Sequence, residues 1–190
     1  MQTRFILVVS SLILLPVAIA GTFARLSAAS QTPRSPVDQL SSPIRGLSTR
    51  EVDDLLNGRG AGFARMAEMN DYPGPRHVLD LKEQLNLSAK QTQQVQVAFE
   101  KMNVEAKRLG REIVAQEQRL SVAFANKTIA PEKLQTQTEA LAMLYGKLRQ
   151  THLQAHLEIT PLLSSKQIAT YNMLRGYTDD KTPMRQHHGN

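Results

Sequence analysis

The sequence predicts an all-α protein built on one long antiparallel helical hairpin with short flanking helices. Three observations carry this. Apolar residues recur at steps of three and four over two long stretches. Only a short turn, Asn126 to Pro131, separates those stretches. The same small phrase stands before the first and after the second: LSAKQ from Leu87 to Gln91, and LSSKQ from Leu163 to Gln167.

The chain has 190 residues and opens on MQTRFILVVSSLILLPVAIAG. Arg4, a long apolar run, Pro16 and the small-residue site Ala18-Ile19-Ala20 have the layout of a secretory signal peptide over residues 1–20. The rival reading is an uncleaved N-terminal anchor, since Phe5 to Ala24 is just long enough to span a bilayer. Either way the rest of the chain is expected to be exported. No cysteine is present, so packing or a bound ion has to supply what disulfides would. Residues 21–46 are rich in serine and proline and read as a disordered tether.

Residues 47–70 read as a short helical segment. Ser48 is a candidate N-cap with Glu51 three residues on, and Gly58 is the stop. Pro73, Gly74 and Pro75 break the chain, and Pro75 suits the first position of a helix over RHVLDLKEQLN, residues 76–86, which includes His77. The repeated phrase then explains itself. Ser88 can accept from the backbone N–H of Gln91 while the Gln91 side chain reaches back to the N–H of Ser88, and Ser164 with Gln167 can do the same. Each phrase is a capping box at a helix start, with Leu87 or Leu163 as its hydrophobic staple.

The first long helix runs from about Ala89 to Ala125, with Val95, Phe99, Met102, Ala106, Leu109, Ile113, Leu120 and Phe124 on one stripe. The second starts at Pro131 and carries Leu134, Leu141, Leu144, Leu148, His152, Ala155 and Ile159, up to Pro161. A last helix from Ser165 stops near Gly176, and residues 178–190 read as a loose tail. Residues 72–177 thus form the hairpin domain. Leu153 and Leu157 fall off the main stripe and need a cover, either the flanking helices or a second copy in a homodimer.

The formal charge is +6, with acids interleaved among the bases and aromatics scarce, so no nucleic-acid partner is expected. Lys101, Lys107, Arg108, Arg111 and Arg119 read as a solvated face; the other reading is a basic surface for unfolded clients. There is no phosphate loop, no G-x-S-x-G and no HExxH, because Leu153 stands where that glutamate would be. An enzyme is not expected.

An exported all-helical hairpin with two L-[TS]-x-x-Q phrases resembles the Spy/CpxP group of periplasmic proteins, whose signature is LTxxQ. The resemblance covers roughly Tyr72 to Tyr177, with Ser88 and Ser164 where the group has threonine. It implies a four-helix arrangement and a dimer. The group includes ATP-independent chaperones, envelope-stress regulators, and heavy-metal sensors and resistance proteins. Two kinds of partner follow from it, a membrane-bound signalling protein or unfolded clients.

His152 and His156 lie four apart on one helix, a spacing that can chelate a divalent transition metal. The plainer reading is an exposed or hydrogen-bonded pair. With the turn centred near Thr128, Glu100 faces His156, and Asn103 and Val104 lie near His152. Glu100 is therefore the candidate oxygen ligand, and His77 a third nitrogen if its short helix folds back. Sensors of the group draw histidines and a glutamate from neighbouring helices, which implies zinc, nickel or cobalt at His77, Glu100, His152 and His156. Gln116 and Glu117 are left out as a register-setting polar pair, and His187 and His188 are a weak candidate for loose metal recruitment.

Overall fold

The computed structural model describes residue 42 and residues 44–178. The expected signal peptide or anchor, most of the tether, and the tail with His187 and His188 lie outside the described residues. Within them the chain is mostly helical and holds no strand. No helix among the described residues is long and apolar enough to cross a membrane.

Six α-helices follow in order: α1 (Thr49–Leu56), α2 (Arg65–Glu68), α3 (Pro75–Asp80), α4 (Ala89–Ala125), α5 (Pro131–Ile159) and α6 (Ser165–Arg175). A 3-10 turn, Thr160–Leu162, joins the last two. α1, α4 and α6 each begin with a complete capping box, from Ser48 and Glu51, Ser88 and Gln91, and Ser164 and Gln167. α3 and α5 begin with proline at the first turn, where its missing N–H costs nothing.

The two long helices pack against each other. Lys101 pairs with Glu158 at 3.2 Å, and the Tyr145 hydroxyl donates to Glu117 at 3.3 Å. Early residues of α4 therefore meet late residues of α5. Two apolar clusters hold the assembly. One gathers Leu55, Ala106, Leu109, Ile113, Leu141 and Leu148, together with Ile44 and Leu47. Ile44 falls in the stretch read as a tether, yet it is only 3 % exposed. The other gathers Val78, Leu85, Val95, Ala98, Ile159 and Tyr171. Each fully buried side chain of this size contributes about 1.5–3 kcal/mol over leaving it in water.

α1 lies across α4 at Gly110. A Cβ at that position would overlap the Leu55 carbonyl oxygen and stand 2.6 Å from its carbonyl carbon, so only glycine lets the backbones approach. At the opposite end the two repeated phrases meet. The Gln91 amide nitrogen donates to Gln167 Oε1 at 3.0 Å and to the Leu162 carbonyl at 2.8 Å. The Gln167 amide nitrogen answers with Gln91 Oε1 at 3.2 Å and the Leu85 carbonyl at 3.3 Å. Each glutamine closes its own cap with its oxygen and ties the other joint with its nitrogen.

Candidate functional site

Between the two apolar clusters the core turns polar. On α5, His152 and His156 fill the stretch between buried Leu148 and buried Ile159. They line a cavity of about 610 Å³ that is bordered by the loop after α1, by α2 and by α3. His77 on α3 and Glu68 at the end of α2 open onto the same cavity, as do Met102 and Asn103 of α4.

His156 is 5 % exposed, and its Nδ1 lies 2.8 Å from the Tyr72 carbonyl oxygen. A carbonyl only accepts, so Nδ1 carries the proton and Nε2 keeps its lone pair. Burial holds this imidazole below the usual histidine range, outweighing the Tyr72 bond and the nearby Glu68 carboxylate. His152 is 3 % exposed, with Phe63 stacked over its ring at 6.2 Å between centroids. Its Nε2 is buried and has no hydrogen-bond partner. Burial, with a smaller contribution from His156, pushes its pKa down to about 4. Both imidazoles of α5 are thus neutral at pH 7.

His77 is anchored differently. Its Nδ1 sits 2.9 Å from Glu68 Oε1 and donates to the carboxylate. Glu68 is buried, which by itself would raise its pKa. The bonds from His77 and Tyr177 and the charge of Arg175 win, and the carboxyl is held down to about 2. Gly74 seals the arrangement from the other side: a Cβ there would stand 2.7 Å from Glu68 Oε1 and 3.3 Å from His156 Nε2. Only a residue without a side chain lets the carboxylate and the imidazole come so close to one stretch of backbone.

Three of the four residues expected at the site, His77, His152 and His156, open onto this cavity. Glu100 does not. It is exposed and takes a hydrogen bond from Gln96 at 2.7 Å. The helix register lies about one turn from the one expected, as the Lys101–Glu158 pair shows. Glu100 is also two positions on from buried Ala98, which aims it at the opposite face of α4. Glu68 and Asp80 are the acids that line the cavity, and the one that bonds a histidine is Glu68, from a segment outside the family resemblance. Its sequence signal is faint: one carboxylate in a four-residue helix, next to a turn.

The donor chemistry suits a borderline divalent ion. His77 and His156 each hold a ring orientation through an Nδ1–H bond to an oxygen, the outer-shell pattern of metal-ligating histidines. His152 supplies the orphaned Nε2. Among the described residues, no three histidine, aspartate or glutamate side chains converge on one point that could hold an ion. His77 would have to come closer to the α5 pair. No protein-family model, no curated protein and no solved structure matches this chain.

Proposed function

We propose that this chain is an exported, Spy/CpxP-like envelope protein that binds a divalent transition metal and acts in heavy-metal sensing or resistance. The observation that carries the proposal is the buried, unpartnered Nε2 of His152, a residue that lines one cavity with His156 and His77. An apolar seam has no structural use for such an atom, which loses its water without gaining a bond. A neutral nitrogen with a free lone pair is what a zinc, nickel or cobalt ion takes.

In this reading α4 and α5 form an antiparallel hairpin, and the protein works in the periplasm as a homodimer. The imidazoles of His77, His152 and His156 would hold the metal through Nε2. The ion would supply a cross-link between α3 and α5. Glu68 and the Tyr72 carbonyl would keep two of the rings oriented. A membrane-bound partner would read the resulting change in helix packing.

Calorimetry with zinc, nickel and cobalt on the wild type and on a His152→Ala/His156→Ala variant tests it. Heat of binding in the wild type that disappears in the variant supports the proposal. An absence of binding heat for all three metals refutes it.

A second reading, an ATP-independent chaperone or stress regulator for unfolded proteins, is favoured by one observation. Val97, Val104, Met143 and Leu157 are each more than half exposed on the long helices. Protection of a denatured client from aggregation by a metal-free protein that shows no binding heat would favour it over the first.

A further inference from the structure

The Glu68 carboxylate joins two parts of the fold at the wall of the cavity. Oε1 accepts from His77 Nδ1 of α3 at 2.9 Å. Oε2 accepts from the Tyr177 hydroxyl and stands 3.6 Å from Arg175 Nη2, two residues at the end of α6 that line the same cavity. Arg175 donates to the Tyr177 hydroxyl at 3.3 Å, with its guanidinium 5.6 Å over that ring. The stretch from Glu68 to Gly74 grips α6 at two more points. Asp71 accepts from Asn172, and the Gly74 N–H donates to the Tyr171 hydroxyl at 3.2 Å. One short segment therefore serves both the histidine cavity and the C-terminal end of α6.

We propose that Glu68 couples occupancy of the histidine cavity to release of the Arg175–Tyr177 end of α6. This rests on the metal-binding reading above and adds to it how the bound state is reported. His152 and His156 belong to a 29-residue helix whose neighbouring Leu148, Ala155 and Ile159 are buried. His77 belongs to a six-residue helix and is only partly buried. If the three imidazoles draw together, α3 is the element that gives way.

Glu68 is tied to His77 through Oε1, and Gly74 packs against both Glu68 and His156 with no room to spare. A carboxylate that follows His77 leaves Tyr177 and Arg175 behind. His77 and the Tyr177–Arg175 pair hold the same carboxylate at once, so drawing Glu68 toward His77 weakens its hold on the α6 end. At the α6 end, Arg175 Nε is buried without a partner, so the guanidinium is held there through Nη2.

Limited trypsin digestion of the full chain, followed by mass spectrometry, reads cleavage after Arg175. Calorimetry on the same samples reads binding. Zinc, nickel or cobalt is expected to speed cleavage after Arg175 roughly tenfold, the change that follows the loss of one hydrogen bond to a charged group. Tyr177→Phe removes the hydroxyl from Glu68 without touching an imidazole. It is expected to speed the same cleavage without metal and, by reciprocity, to bind metal several-fold more tightly. If metal binds but cleavage after Arg175 does not change, and Tyr177→Phe binds metal no more tightly than wild type, the coupling is refuted and the metal-binding reading stands. If no metal binds, both fall.

Discussion

The two ends of the α4–α5 pair are built from similar sequence and fare differently. Toward the connecting turn, no residue between 114 and 140 is buried. Phe124 and Leu134 belong to the expected stripes, yet Phe124 is 53 % exposed and Leu134 36 %. Toward the other end, α1, α2, α3 and α6 lie over the same two helices, and Val95, Leu109, Leu148 and Ile159 are sealed. Two helices alone bury only a narrow seam. A third layer is what turns an apolar stripe into a core. The histidine cavity sits under that layer, where burial can strip an imidazole of water and keep it neutral.

The comparison can be broken first at Gly110. Gly110→Ala forces α1 off α4, because the clash is with backbone at Leu55 and no rotamer relieves it. A loss of about 3 kcal/mol in urea unfolding is expected, in the range of severe overpacking. A loss below about 1 kcal/mol would mean that α1 is not seated where it lies here.

A smaller effect is expected at His152. Its folded pKa, about 4, lies below the unfolded value of 6.5. Between these values the unfolded chain binds the extra proton. The stabilisation is therefore complete above pH 6.5 and is lost as pH falls toward 4. His152→Leu restores the apolar stripe, so its melting temperature should exceed the wild type's most at pH 5 and least at pH 7.5. Parallel melting curves for the two proteins across that range would show that His152 does not titrate as a buried group. The smallest effect is expected at the turn end. Phe124→Ala removes a half-exposed ring and should cost no more than about 0.5 kcal/mol in the same urea experiment. A larger cost would reveal a cover over that end, such as a second copy of the chain.

The helices and their starts were readable from the residues because the rules behind them are local. A capping box needs a serine and a glutamine three apart, and α4 and α6 begin where those phrases put them. Proline at the first turn marks α3 and α5 in the same way. His152 and His156 were legible as a pair for the same reason, since one turn of helix sets their spacing. Register was not readable. A turn centred one or two residues off moves the facing partner by about a helical turn, and Glu100 in addition lies on the outer face of α4, two positions on from buried Ala98.

Sequence alone determined the two long helices, the starts of α1, α3, α4, α5 and α6, and which face of the long pair is apolar, because three- and four-residue spacing and end-capping act within a few positions. The helix from Pro75, read on to Asn86, stops at Asp80. Tertiary structure alone decided that Gln91 and Gln167 bond across 76 residues, and that Glu68, not Glu100, is the acid beside the histidines. Those pairings depend on how whole helices stack, on burial, and on the close backbone approach at Gly74 and Gly110. A side chain finds such a partner only after the chain has folded, and nothing in its near neighbours encodes it.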